Sequence, residues 1–457
     1  MLSVPVLSEL RDLMEGVIPS TVATCAPDGT PNVSFVSQLH YVDEAHVALS
    51  FQFFSKTRDN VLANPRASVL ALHPETGAQY RFDLEYLRTE TRGALFERMK
   101  AKLAGIASHE GMTGVFRLQG ADVYRVVGVE RVPGGEIASP PSPNLLPAVR
   151  EVIERLARST DLATLLDELL GGLEATLRIR HAMVLLAEAA TRTLYTVATR
   201  GYEHSGVGSE IAFGDGVIGV SAQACTPVRI SHATLEYSYG RAMREDAKAH
   251  GMADALAAQI PFPGLAASGS QLAVPIAAGR ELIGVLYVES PDERRFRYDD
   301  EDALVSIAAS LGLAIRVLQH GAERDDESQA TTTPAPSSAG SPLTVRHYSG
   351  QDSVFVDDDY LIKGVAGAIL WKLLREHADG RRNDFTNREL RLDPSIRLPE
   401  LSENLEARLI LLQRRLAERC RWIRVEKTGR GRFRIVVTRP LRLVEGADAA
   451  TSALPRA

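Results

Sequence analysis

Three cysteines in 457 residues, Cys25, Cys225 and Cys420, are too few and too widely spaced for a disulfide framework or a zinc site. Each is expected to be a small buried apolar residue, with Cys225 packed on a strand. No apolar run approaches the ~18 residues that cross a bilayer. The first residues, MLSVPVLSELRDLMEG, interleave acidic and basic side chains where an export signal would place a basic stretch before an apolar one. A cytoplasmic protein with no membrane partner is expected. The chain also lacks a Walker loop, a kinase motif, a metal-ligand cluster and a recognisable Ser/His/Asp set, so the residues name no catalytic group.

The length allows about three domains at roughly 150 residues each, and composition divides the chain accordingly. Residues 133–147, PGGEIASPPSPNLLP, are a linker too rich in Pro, Gly and Ser to pack. Residues 321–342 are a longer polar tract without aromatics, expected to be disordered. The domains are then residues 1–132, 148–320 and 343–445, with a disordered tail at 446–457. The net charge of −6 hides an asymmetry: Gly380 to Arg442 holds 17 Lys plus Arg against 8 Asp plus Glu. That basic segment is a candidate nucleic-acid face.

The first block opens with a short helix and continues as strand runs: STVATCA, a turn at Pro27-Asp28-Gly29, then PNVSFVSQLHYV, HVALSFQFF, ASVLALH and GVFRLQGADVYRVVGVERV. A small antiparallel barrel accounts for them. Lys56, Thr57 and Asn60 offer an ammonium, a hydroxyl and an amide at the start of a short helix, donors suited to a phosphate. The alternative is that they only cap the helix. TCAPDGTP (Thr24 to Pro31) and SKTRDNVLANP (Ser55 to Pro65) resemble the pyridoxamine 5′-phosphate oxidase family and its flavin-binding split-barrel relatives. The resemblance implies contacts to flavin mononucleotide (FMN) from Phe51, Gln52, Phe53, Ser55, Lys56, Thr57 and Asn60, and a homodimer with the cofactor between subunits. VSFVSQLHYV lacks the arginines that family enzymes add to the phosphate site, for which Arg58 and Arg81 are the available substitutes. The family's substrate-binding C-terminal signature is also missing.

The middle block reads as a helix over 148–177, strands near 181–188 and 193–200, an irregular segment, a hairpin and a last helix from about Glu301 to Leu318. In the hairpin, Leu272, Val274 and Ile276 alternate, Ala278-Gly279-Arg280 turns, and Leu282 to Val288 returns. Asp299, Asp300, Glu301 and Asp302 suit the unpaired amides at the helix start. The strand, turn, strand, Phe296, acidic-helix order, together with GDGVIGVSAQACTPVRI (Gly214 to Ile230), resembles a GAF domain over about residues 148–318. The resemblance implies small-molecule sensing, with Tyr237, Arg241 and Arg244 as pocket contacts on a cover segment and the ligand unnamed. Phe296, Asp300 and Glu301 match the end of the cyclic-nucleotide motif, but the Asn-Lys pair that should precede them is missing. The apolar faces of the two end helices, Val149, Val152, Leu156 and Leu304, Ile307, Leu311, Ile315, would serve either dimerisation or coverage of the sheet within one subunit.

From Val354 onward the pattern is three helices and two short strands around a glycine turn. Thr386 and Glu389 form a capping box. Leu405, Leu409, Leu412 and Leu416 share one face of the third helix. LQRRL (Leu412 to Leu416), followed by Gly429-Arg430-Gly431-Arg432-Phe433, resembles the winged-helix output domain of response regulators. The resemblance implies DNA binding, with Arg408, Arg414 and Arg415 facing DNA and Lys427, Arg430 and Arg432 contacting phosphate. A protein-binding winged helix is the other reading of the same residues.

The fold expected is thus multidomain α+β: a split β-barrel, a GAF α/β sandwich with an antiparallel sheet, and a winged helix. The function expected is a homodimeric sensor whose flavin or small-molecule ligand controls a DNA-binding output. The rival is an FMN-dependent oxidoreductase with a regulatory GAF domain.

Overall fold

The structure, a computed structural model, describes residues 6–14, 18–52, 56–109, 118–138, 143–230, 260–324, 341–380, 382–396, 405–429 and 431–446. It is a multidomain α+β protein whose sheets are antiparallel apart from one parallel strand pair. None of the described helices is long and apolar enough to cross a membrane.

The N-terminal module is a seven-stranded sheet in the order β2-β1-β5-β6-β7-β4-β3. Its strands are β1 (Ser20–Cys25), β2 (Pro31–Val36), β3 (Leu39–Asp43), β4 (His46–Phe51), β5 (Arg66–Leu72), β6 (Gln79–Glu90) and β7 (Gly120–Val132). The run PNVSFVSQLHYV, expected as one strand, breaks after Val36. Its halves pair with different partners, β2 with β1 and β3 with β4. Helix α1 (Lys56–Ala63) follows β4, and α2 (Ala94–His109) links β6 to β7. Alternation along β1 and β5 turns Val22, Ala67, Val69 and Ala71 inward, where Phe82 and Leu84 of β6 complete the core.

The central module is a six-stranded sheet, β10-β9-β8-β13-β12-β11. The expected first helix is two, α3 (Leu146–Ala157) and α4 (Leu162–Leu177), because Asp161 takes an extended conformation and accepts a hydrogen bond from Thr164 N as the N-cap of the second. Strands β8 (His181–Glu188) and β9 (Thr193–Arg200) lie where they are expected and are buried along most of their length. Then come β10 (Glu210–Ala212), α5 (Gly216–Ala224), β11 (Val228–Ile230) and the hairpin β12 (Ser270–Ala278) and β13 (Glu281–Ser290). Gly279 supplies the positive φ of the hairpin turn. Cys225 is not packed on a strand. It is exposed at the left-handed C-cap of α5, and Cys25 is only half-buried; Cys420 alone fits the buried expectation. Helix α6 (Tyr298–Arg324) starts on the expected acidic turn and runs six residues past Leu318.

The C-terminal module contains a sheet that the strand signals did not reveal: β14 (Leu343–Tyr348), β15 (Ser353–Val356) and β16 (Asp359–Ile362), with Asp357 turning the second hairpin at positive φ. Helix α7 (Gly364–Ala378), β17 (Asp384–Thr386), α8 (Asn387–Leu392), α9 (Leu405–Arg419), β18 (Ile423–Gly429) and β19 (Arg432–Val437) follow, and β20 (Leu441–Gly446) closes the sheet in parallel with β14. The capping box at Thr386 and Glu389 is formed in both directions. β17, β19 and β18 make a second small sheet.

The expected linker at 321–342 lies outside the described residues over 325–340, as does the expected tail over 447–457, and the modules pack together. One hydrophobic cluster runs from Val149 and Leu165 of the central module into Leu405, Leu411 and Leu412 of α9. The barrel docks beside an ion pair buried within the central module. Arg229 of β11 pairs with Glu301 of α6 at 2.9 Å, and its guanidinium lies 4.4 Å from the Tyr298 ring centroid. Lys102 of α2 lies over the same ring, and Arg11 reaches Asp299 and Asp302. Burial raises the Glu301 carboxyl, but Arg229 and Lys102 outweigh it and hold Glu301 below the usual range. The acidic turn read as a helix cap therefore also docks one domain on another.

Candidate functional site

The barrel holds a cavity of about 180 Å³ lined by Ser34, Phe35, Ser37, Ser50, Phe51, Gln52, Thr57, Arg58 and Asp122. Several elements meet there because β4 ends on Phe51 and α1 begins five residues later, after the 53–55 segment that contains Phe53 and Ser55 and lies outside the described residues. Thr57 Oγ1 accepts a hydrogen bond from Asn32 Nδ2 at 2.8 Å and shares one with Ser34 Oγ at 2.7 Å. Gln52 is buried, and its Oε1 has no partner among the described residues. An orphaned acceptor beside an aromatic ring and a hydroxyl cluster suits a ligand that offers an N–H from a flat ring. Lys56 is exposed at the first position of α1, close enough to Asp28 to help hold that carboxylate below its usual range, where the hydrogen bond from Thr30 N is the main cause.

Two of the expected residues take other work. Asn60 turns inward, buried, and donates to Thr24 Oγ1 at 3.2 Å, which ties α1 to β1. Arg58, a substitute for the missing phosphate arginines, is held by Asp122 at 2.6 and 2.8 Å and stacks 4.0 Å from the Phe51 ring centroid. Arg81 stands elsewhere on the barrel, exposed and paired with Glu130. Asp122, which no motif marked, is the acid that fixes Arg58. Its own neighbour Thr89 donates to it at 2.5 Å.

In the central module Tyr237, Arg241 and Arg244 lie outside the described residues. Those that are described reveal a group without a sequence signature. Glu289, buried near the end of β13, accepts from Leu265 N at 2.9 Å and from Tyr287 Oη at 3.3 Å. Burial pushes its carboxyl up, against those hydrogen bonds. Tyr202 faces it and is driven well above the usual phenol range, first by burial and then by the Glu289 charge. Phe262 packs edge-on against Tyr287. Only the presence of a carboxylate within the apolar returning strand could have marked it.

The basic residues of the C-terminal module divide. Arg408 and Arg415 are buried, Arg414 and Arg432 half-buried and Lys427 exposed, while Arg430 lies outside the described residues. Arg408 pairs with Glu188 at 3.2 Å and stacks 3.7 Å from the Tyr195 ring centroid. Arg415 donates to Leu361 O at 3.1 Å, and burial pulls its guanidinium down. Arg414 donates to Val197 O at 2.9 Å and Asp167 at 2.7 Å.

The GAF domain family model matches residues 161–315, and the pyridoxamine 5′-phosphate oxidase family model matches residues 6–126. The chain thus carries an N-terminal domain of the second kind and a central GAF domain. Among solved structures, it is similar to the GAF domain of an Acinetobacter phosphoenolpyruvate-protein phosphotransferase, at 18% identity and a TM-score of 0.31, covering 40% of this chain and 99% of that one. It is similar to the free methionine-R-sulfoxide reductase of Neisseria meningitidis at 18% identity and a TM-score of 0.30, covering 38% and 89%. It is similar to an FMN-binding protein of Syntrophomonas wolfei at 18% identity and a TM-score of 0.23, covering 28% and 91%. No curated protein matches the chain.

Proposed function

We propose that this chain is a signal-sensing regulator in which a flavin-binding barrel and a small-molecule-binding GAF domain govern a winged-helix module that binds DNA. The observation that carries the reading is the physical continuity of the three modules: buried Lys102 of the barrel lies over Tyr298 of the GAF domain and beside Glu301, and one hydrophobic core joins the GAF domain to α9. A ligand that favours one arrangement of such a body over another by about 1–3 kcal/mol changes the output. The order β14-β15-β16, α7, α8, α9 and the β18–β19 hairpin supports the winged-helix reading, as does the +9 balance of the segment that contains α9. Thr57, Ser34, Gln52 and Phe51 would hold FMN, which when bound supplies a redox-active ring. Phe35 is 79% exposed on edge strand β2 beside this cavity, and it supports a homodimer in which the second subunit covers the site.

Native full-length protein is expected to show flavin absorbance bands near stoichiometry, and Lys56→Ala with Thr57→Ala is expected to lose them. A spectrum that stays featureless in excess FMN would remove flavin from the account. Turnover with a reduced nicotinamide would favour the oxidoreductase instead.

A further inference from the structure

The helix that would read DNA is covered. From Leu405 to Leu416 every residue of α9 is buried or half-buried, although the helix has a polar face carrying Arg408, Gln413, Arg414 and Arg415. A surface helix of this kind ordinarily leaves that face to water. Here the GAF domain covers Arg408 and Arg414, while Arg415 is held by Leu361 O of its own module, and the contacts with the GAF domain oppose charge to charge. Arg408 meets Glu188 of β8 and the Tyr195 ring of β9, and Arg414 meets Asp167 of α4 and the Val197 carbonyl. From the hairpin, Lys427 comes within 3.7 Å of Asp161, the N-cap of α4, and from the start of α7 Lys363 pairs with Glu210 at 2.9 Å. Four acids of one domain thus face four basic side chains of another, three of which belong to the expected DNA surface.

We propose that the GAF face made by β8, β9 and α4 is an autoinhibitory surface: its carboxylates occupy the positions that DNA phosphates would take, and DNA competes with the GAF domain for α9. This rests on the DNA-binding reading above. A duplex has to displace Glu188 and Asp167 before Arg408 and Arg414 can reach it, so the docked form binds DNA weakly. The ligand signal acts by loosening this contact.

The test is fluorescence anisotropy of a labelled mixed-sequence duplex with the full chain at low and moderate salt. Asp167→Lys with Glu188→Lys breaks the dock while leaving every arginine in place. Asp167→Asn with Glu188→Gln does so without adding positive charge that could itself attract DNA. Both variants are expected to bind about 10-fold tighter than the parent or more, a shift of about 1.4 kcal/mol, with a steeper salt dependence as more phosphates are contacted. Hydrogen exchange should quicken across Leu405–Arg419 while β8 and β9 stay protected, which separates undocking from misfolding. Equal, measurable binding by parent and variants would overturn the autoinhibition and leave the DNA reading standing. Tightening in the lysine variant alone would overturn it also, as a gain from added charge. No binding by any of the three, with α9 released in the variants, would overturn the DNA reading and this inference with it.

Discussion

Glu301→Ala is expected to destabilise the joined barrel and GAF body by about 3–5 kcal/mol, the cost of leaving a buried partner charge uncompensated. Its partner Arg229 has a side chain only 2% exposed, and Glu301 itself is 13% exposed. The loss should appear in thermal unfolding as a lower midpoint for both modules together, because Arg229 and Lys102 approach the same Tyr298 ring from different modules. The pH dependence follows from the direction of the shift. Glu301 is held below its ordinary range, so its contribution is fully present above the unfolded carboxyl pKa and is lost as pH falls through the folded value. Glu301→Gln should therefore flatten the acid limb of the stability profile. A variant as stable as the parent at neutral pH would mean that water reaches this pair and that the Lys102 charge of the barrel gains nothing from Glu301.

The second large effect is expected at the barrel cavity. Asp122→Ala removes both carboxylate contacts to Arg58 and the acceptor for Thr89, and should cost the barrel about 2–4 kcal/mol, somewhat less than a fully buried pair because Arg58 keeps 19% of its side chain exposed. The guanidinium is then free to leave the Phe51 ring, so FMN affinity should change along with stability. Titration of FMN into the variant, followed by absorbance, checks the second effect separately from the first. Unfolding and binding curves that both overlay those of the parent would show that the Arg58–Asp122 pair does not shape the site.

Local patterning made part of this protein readable. The order of elements located β8 and β9, alternation and a tight turn located β12 and β13, and the Thr386 capping box needs only residues three apart. In the barrel, β6 and α2 escaped notice. β6 buries only Phe82 and Leu84 in a mostly polar run of 12 residues, so its period is faint. The sheet of β14, β15 and β16 consists of short strands, and β20 joins it from almost a hundred residues away. The lining of the barrel cavity was half legible: Thr57 and Gln52 do line it, whereas Asp122 is brought to Arg58 from 64 residues downstream. The arginines of α9 show the limit most clearly. Their spacing marked a basic helix, but Arg414 finds its partners 217 and 247 residues earlier in the chain, a distance over which no spacing rule operates. What reads locally as a solvent-facing basic surface is, in the folded chain, part of a domain contact.

The central claim is that ligand in the sensing modules changes the state of α9. Hydrogen exchange of the Leu405–Arg419 backbone in the full chain, measured with and without saturating FMN, tests it most directly. The account predicts faster exchange across α9 once the flavin spectrum shows that the barrel is filled. Unchanged protection of α9 with the barrel filled would contradict it.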